Sequence, residues 1–198
     1  MHVKLEQPKL TIEEFLALPD NGTRRWLIDG VVKEWPTEGA ELEPPMTVRN
    51  RFHSAILVNA ATELKVWLRT LPEPRGQVVG GEAGFIIARD PLLIVGIDVA
   101  YVTHEVMARQ NEETTLIDGI PLLAVEILSP NDTIIALRDK RTGYRRAGVR
   151  LVWVIDPDEQ TVTVHELGAR PRIVSVGEDL VCEPHLPGFR VPVARLFA

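Results

Sequence analysis

Two carboxylates stand alone inside stretches of sequence that are otherwise apolar. Asp98 lies in LLIVGIDVAYV, residues 92–102, and Glu126 lies in PLLAVEILSP, residues 121–130. Stretches that are apolar at both odd and even positions are typical of strands covered on both faces. A buried, ionised carboxylate is costly unless a cation meets it. Two of them in neighbouring strands therefore indicate a site for a divalent metal.

The chemistry of such a site follows from its oxygen ligands. Two carboxylates together with main-chain carbonyls give the ligand set that Mg²⁺ or Mn²⁺ prefers. An ion held there can lower the pKa of a bound water and neutralise charge that develops on a phosphate. Structural alternatives stay open at this point, because Asp98 could cap a loop or pair with an arginine, and Glu126 could form a buried salt bridge.

Lys140 is the third residue that we expect at this site. Ala136, Lys140, Gly143 and Ala147 recur at helical spacing, so they share one face of a helix predicted over 132–147. The small residues let this face approach the sheet closely, and the lysine would project toward the strands. Its ammonium could orient the attacking water or stabilise the transition state, or the side chain could instead snorkel to solvent.

The same helix carries a dense run of basic residues. Arg138, Arg141, Arg145 and Arg146 surround Lys140 and are opposed only by Asp139. Such a run could contact the phosphate backbone of a nucleic acid, or it could simply be a solvated helix face.

Three further residues are weaker candidates for the site. Glu82 is flanked by glycines that permit close backbone approach, so it is either a third acidic ligand or an edge residue. His53 begins the apolar stripe of a helix predicted over 47–70, where it is either a core histidine or reaches the site. Glu34 lies in an early hairpin and is either exposed or functional.

The elements that must position these residues form an alternating series. We predict a short helix capped by Thr11, a hairpin over 25–35, the long helix, a strand over 77–88, the two apolar strands, the basic helix, and a hairpin over 151–167. We therefore expect one domain over residues 1–198, an α/β fold with a mixed central sheet flanked by helices. A helical turn with a loop is predicted over 104–119, and a short helix or turn at the end.

Size and composition fit a soluble globular protein. The chain has 198 residues, 45% of them hydrophobic and 25% charged, with a net charge of −6. Any binding of a polyanion must therefore come from a local patch. The N-terminal residues contain no apolar segment of a signal peptide, no stretch is long enough to span a membrane, and Cys182 is the only cysteine. We expect a cytoplasmic location.

A family resemblance is carried by several motifs across nearly the whole chain. The stretch AVEILSPNDTI…LRDKRTGYRRAGVRLVWVIDPDEQTVTVHEL resembles the Uma-two family of restriction-endonuclease-like proteins, and GEAGFIIARDP, IDVAYV, LIDG and LPGFRVPVARLF match it too. That family is similar to the PD-(D/E)XK nucleases. The resemblance implies a restriction-endonuclease-like core, Asp98 and Glu126 as metal ligands, and Mg²⁺-dependent hydrolysis of phosphodiester bonds in nucleic acid, with DNA expected first. It also implies a homodimer, since cutting both strands needs two sites.

Five positions depart from that pattern. The residue before Asp98 is Ile97, where the superfamily has proline. The superfamily places a lysine two residues after the second acid, where this chain has Leu128, so Lys140 would have to replace it from the following helix. The family usually carries acidic residues at the positions of Trp26, Val31 and Phe52. We favour a metal-dependent nuclease. The alternatives are a catalytically silent module that binds nucleic acid or protein, and a hydrolase of other phosphate esters.

Overall fold

The chain forms a large mixed sheet with helices on both sides. The structure is a computed structural model that describes residues 8–19, 24–35, 51–111, 115–129 and 134–198. The helices are α1 Ile12–Leu16, α2 Arg51–Leu68, α3 His104–Met107 and α4 Ile134–Ala147, followed by a 3-10 helix Val193–Leu196. The strands are β1 Arg24–Ile28, β2 Val31–Trp35, β3 Gln77–Arg89, β4 Leu92–Val102, β5 Ile117–Asp118, β6 Leu123–Ile127, β7 Leu151–Asp156, β8 Thr161–Glu166, β9 Arg172–Ser175, β10 Asp179–Val181 and β11 Arg190–Pro192.

Within the described ranges, nine strands belong to one sheet. The main path runs β2-β1-β4-β6-β7-β8-β9, with β3 paired to β4 and β5 paired to β3, and β10 and β11 form a separate pair. Strands β6 and β7 are parallel, because α4 lies between them in the chain and returns it to the same end of the sheet. The predicted mixed α/β fold is confirmed. The predicted first residues of the two long helices, 47–50 and 132–133, lie outside the described residues.

The helix and hairpin at the N-terminus fold as the local sequence dictates. Thr11 and Glu14 form a reciprocal capping box at the start of α1. Asp29 and Gly30 both have positive φ, 53° and 78°, which is the conformation that a two-residue hairpin turn needs. Backbone hydrogen bonds join Leu10 to Gly30 and Gly30 to β4, so this unit is fixed beside the centre of the sheet.

Strand β4 changes partner along one of its edges, and this opens the sheet. Its first edge pairs with β3 along the whole length of the strand. The second edge pairs with β1 at Ile94 and with β6 only from Val99 to Tyr101. Residues 95–98 therefore have no strand partner on that side among the described residues. The gap lies next to Asp98.

A β-bulge in β3 faces the same point. The register moves from Gly80–Val99 to Ala83–Ile97, so two residues of β3, Gly81 and Glu82, oppose a single residue of β4. Both have positive φ, 82° and 60°. A bulge of this kind bends the strand and redirects a side chain, which explains why glycine precedes Glu82.

Two apolar layers enclose the sheet. On one face, α2 packs Ile56, Ala60 and Leu64 toward β3, β4 and β6, as its periodicity predicted. On the other, Tyr144 of α4 packs in a cluster that contains Ala100, Val102 and also Ile97. Strict alternation along β4 would place Ile97 in the same layer as Val99, but Ile97 lies in the opposite layer, because the alternation shifts opposite the bulge.

Candidate active site

A cavity of about 230 Å³ lies at the gap in the sheet. The residues that line it come from α1, the hairpin, α2, β3, β4, β6 and α4. One group, the acid wall, consists of His53, Glu82, Asp98, Glu126 and Lys140. A second group, the N-terminal wall, consists of Phe15, Arg25 and Trp26, and apolar side chains complete the lining. The structure thus brings five of the sequence-predicted residues into one cavity.

Asp98 is buried and is held by two donors. Its side chain accepts a hydrogen bond from the backbone N–H of Ile127 at 2.9 Å, and Nε2 of His53 lies 3.3 Å from the same oxygen, Oδ2. The carboxylate takes the N–H of Ile127 at the point where β6 parts from β4. Burial raises the pKa of Asp98, but the hydrogen bond and charge of His53, the Ile127 N–H and the charge of Lys140 outweigh it, and the net pKa is lowered.

Glu126 is equally buried but has different partners. Nζ of Lys140 donates to Oε2 at 2.6 Å, and the hydroxyl of Tyr144 donates to Oε1. Burial is the largest influence and raises the pKa of Glu126, and the charge of Asp98 adds to it, against the opposing effects of Lys140 and Tyr144. The buried salt bridge considered for Glu126 is therefore present, with the lysine that was expected to face the sheet.

Tyr144 was missed by the sequence analysis. It is fully buried, and both burial and Glu126 raise its pKa well above the ordinary value. The available signal was its position four residues after Lys140, which places both side chains on one face of α4. Gly143 allows this approach, since a Cβ there would lie 2.8 Å from Leu93.

His53 and Glu34 differ in how they relate to the cavity. His53 lines it, and its Nδ1 is buried without a hydrogen-bond partner among the described residues. Glu34 does not line it. Instead Glu34 is about half exposed and accepts a hydrogen bond at 2.6 Å from Nε of Arg25, which belongs to the cavity wall.

The arginines of α4 lie outside the cavity and on two sides of the helix. Arg138, Arg141 and Arg145 line a separate groove together with His165 of β8, which we call the arginine groove. Burial and the charge of Arg141 lower the pKa of His165. Arg146 turns the other way, and its guanidinium lies 3.6 Å from Asp29 of the hairpin. The basic run is thus not one continuous patch.

Comparison with known proteins identifies the family. The family model described as Uma2, putative restriction endonuclease, matches residues 12–194. The chain belongs to this family. A solved structure, described as a putative nuclease belonging to DUF820 from Anabaena variabilis, is similar with a TM-score of 0.73 at 19% identity, covering 95% of this chain and 97% of that one. This likeness shows the shared fold. Among curated proteins, none matches the chain significantly.

The positions at which this Uma2 chain departs from the expected pattern have different surroundings. Leu128 and Trp26 both line the cavity. Val31 lines a neighbouring groove between the hairpin and α4, and Phe52 is 55% exposed. Of the three positions expected to be acidic, only that of Trp26 thus contributes to the cavity wall.

The acids of this Uma2 site are spread along the cavity. Within the described ranges, no three His, Cys, Asp or Glu side chains lie close enough to bind one metal ion together.

None of the helices described is long and apolar enough to cross a bilayer.

Proposed function

We propose that this chain is a divalent-metal-dependent nuclease that hydrolyses phosphodiester bonds of nucleic acid. The observation that carries the proposal is the meeting of two buried carboxylates from neighbouring strands, Asp98 and Glu126, with Lys140 in one cavity. Membership of a family described as restriction endonucleases supports the reaction class.

The residues present fit a hard divalent cation. Mg²⁺ is commonly bound in proteins through only one or two carboxylates, with water and substrate phosphate completing the shell, so a cluster of three acids is not required. Oδ1 of Asp98 has no hydrogen bond within the described residues and is left for a ligand. We assign Mg²⁺ or Mn²⁺ to Asp98 and Glu126, with Glu82 as a further acid. Such an ion supplies a Lewis acid for the phosphodiester.

Lys140 orients the attacking water in this proposal. Its ammonium already lies 2.6 Å from Glu126 in the cavity, although it comes from α4 and not from the strand position occupied by Leu128. An ammonium held there by a buried carboxylate needs little reorganisation, and it can also stabilise negative charge on the phosphate in the transition state.

The nucleic acid would be held by charges outside the cavity. The net charge of −6 leaves the binding of a polyanion to local surfaces, and the arginine groove concentrates three arginines on one stripe of α4. We assign Arg138, Arg141 and Arg145 to phosphate contacts, and Arg146 to a lesser contribution because Asp29 offsets its charge. A homodimer would supply the second site needed to cut a duplex.

Cleavage assays on acid variants test the proposal. Wild type, Asp98→Asn and Glu126→Gln are incubated with labelled single-stranded and duplex DNA and RNA, with Mn²⁺, with Mg²⁺ or with EDTA. Wild type should cleave only with metal, and both variants should lose cleavage. Asp139→Asn is a matched control, because this acid of α4 lies outside the cavity and is 45% exposed.

Thermal unfolding gives a second measurement that needs no substrate. A metal that binds only the folded state at about 100 times its Kd stabilises by about 2.7 kcal/mol. Addition of the metal should therefore raise the Tm of wild type and of Asp139→Asn. It should leave the Tm of Asp98→Asn and Glu126→Gln unchanged. A rise that persists in both Asp98→Asn and Glu126→Gln would contradict the assigned ligands.

One observation favours a different function, a silent binding module on the same fold. Both oxygens of Glu126 already accept hydrogen bonds, from Lys140 and Tyr144, so a metal ion would have to compete with two donors for this carboxylate. A protein of this kind would bind nucleic acid equally well with EDTA and would show no metal-dependent change in Tm. The two experiments above therefore separate the alternatives.

A further inference from the structure

The N-terminal wall of the cavity has features that the hydrolysis of a phosphodiester does not require. Phe15 and Trp26 present aromatic surface, and Ile94, Leu116 and Leu137 add apolar surface to the same lining. A phosphate group gains nothing from such a surface. A flat, weakly polar ring does, because it can stack on an aromatic side chain and leave water.

Trp26 also carries an unused hydrogen-bond donor. Its indole N–H is buried and has no partner among the described residues. Buried polar groups in folded proteins are nearly always hydrogen-bonded, and a turn of the ring that brings this N–H to the cavity surface would let it donate to an acceptor on a ligand. Nucleobases offer such acceptors as ring nitrogens and carbonyl oxygens.

Arg25 is the third residue of this wall, and two hydrogen bonds fix its side chain. Its Nε donates to Glu34 at 2.6 Å and its Nη1 donates to the carbonyl of Pro19 at 2.6 Å, and the side chain is only 15% exposed. A fixed guanidinium plane can stack on a base or bind a phosphate oxygen. This gives Glu34 a positioning role, through Arg25, although it does not line the cavity.

The size of the cavity limits what enters it. Its volume of about 230 Å³ is smaller than the roughly 300–1,000 Å³ of ordinary small-molecule sites. A base pair stacked in a duplex cannot enter a space of this size, whereas a single ring system that has left its stack can.

We infer that Phe15, Arg25 and Trp26 form a subsite for one unpaired nucleobase, next to the phosphodiester bound at Asp98 and Glu126. The preferred substrate is then a nucleic acid with an unstacked nucleotide, such as a single strand. This inference rests on the proposed function for its account of the phosphate, but base binding itself is measured separately.

A binding cycle tests the subsite without cleavage. Affinities are measured in EDTA for a labelled single strand of thymidine nucleotides, for the same strand in a duplex, and for a matched deoxyribose-phosphate strand without bases. The proteins are wild type, Trp26→Leu, Trp26→Phe and, as a control, Ile173→Ala, an apolar residue that is 66% exposed and outside the cavity. The Tm of each variant shows whether it is folded.

The expected results are specific to the base. Wild type should bind the single strand at least about tenfold more tightly than the duplex, and Trp26→Leu should lose about tenfold for the single strand, the effect of removing one stacked base. Trp26→Phe should keep most of the affinity. Removing the bases from the probe should weaken wild type more than Trp26→Leu, because the variant has already lost the stacking on Trp26.

Contrary results are equally clear. The subsite is refuted if folded Trp26→Leu binds the single strand like wild type, or if wild type prefers the duplex. If Asp98→Asn abolishes cleavage while Trp26→Leu keeps full affinity for the single strand, the nuclease proposal is supported and the subsite is refuted. If wild type shows no metal-dependent cleavage but the Trp26 cycle holds, the subsite is supported on a binding module and the nuclease proposal is refuted.

Discussion

Asp98 and Glu126 are the same kind of group at nearly the same exposure, 6% and 7%, yet their surroundings act on them in opposite directions. Asp98 has a backbone N–H and His53 as partners, and its pKa is lowered. Glu126 has Lys140 and Tyr144, and its pKa is raised because burial outweighs both donors. Equal exposure therefore does not fix the direction of the pKa shift of a carboxylate. The balance between burial and the partners around the carboxylate does.

The difference between the two pKa shifts suggests different roles for Asp98 and Glu126 at the site. Asp98 is ionised and fixed by the backbone before any ligand arrives. In the proposed metal site, Glu126 would become a good ligand once the charge of the bound ion offsets the burial of the carboxylate. Pairs of carboxylates whose environments push their pKa values apart are a recurring feature of catalytic sites.

Removing the cation beside Glu126 should have the largest effect on activity. Lys140→Met keeps the packing of the stem but removes the ammonium, and we expect kcat to fall about 100- to 1,000-fold, the usual effect of losing one preorganised transition-state donor. The matched control is Arg138→Met, two residues before Lys140 on α4, where the side chain of Arg138 is 68% exposed. It should leave kcat nearly unchanged, weaken binding of the nucleic acid most at low salt, and make that binding less dependent on salt. Equal kcat values for the two variants would contradict the role assigned to Lys140.

Neutralising each acid should affect stability unequally. Asp98→Asn replaces an ionised acceptor of two hydrogen bonds, and we expect the free energy of unfolding at pH 7 to fall by about 1–3 kcal/mol. Glu126→Gln removes a charge that burial opposes, and Lys140 is 21% exposed and can turn to water, so the change should stay within about 1 kcal/mol. Urea unfolding in EDTA measures both values. Equal losses would show that the two environments do not differ as described.

The sequence predicted which acidic residues lie at this site better than it predicted the strand geometry around them. Apolar strands interrupted by Asp98 and Glu126, and the stripe that carries Lys140, were sufficient to place these residues together, since periodicity reports which side chains face the core. The bulge at Glu82 and the gap in β4 were not predicted, because register and strand partners depend on contacts far apart in the chain. For the same reason, the sequence did not predict that Trp26 lines the cavity or that the arginines lie on two sides of α4.

The pH dependence of stability should separate the two acids further. With a lowered pKa, Asp98 stabilises the fold above its ordinary value of 3.8, and this contribution is lost as the pH falls through the lower value in the folded protein. Glu126 has the opposite sign, because the folded protein binds its proton more tightly, so its effect becomes less favourable as the pH rises above 4.5.

Unfolding free energies across the acid range measure these signs. The difference between wild type and Asp98→Asn should shrink as the pH falls below about 4. Glu126→Gln should gain relative to wild type as the pH rises from about 4.5 toward neutrality. Parallel curves for the two variants would mean that both acids titrate alike.

The smallest difference should come from the coupling between the hydroxyl of Tyr144 and the carboxylate of Glu126. Tyr144→Phe keeps the buried ring and removes only the donor to Glu126, so we expect a loss of about 1 kcal/mol in the free energy of unfolding at pH 7. In a Glu126→Gln background the same change should cost about half as much, because a hydrogen bond to a neutral acceptor is roughly half as strong. A double-mutant cycle by urea unfolding measures this difference. Because the ring stays in place in both backgrounds, packing cancels from the cycle, and any remaining coupling belongs to the bond between the hydroxyl and the carboxylate.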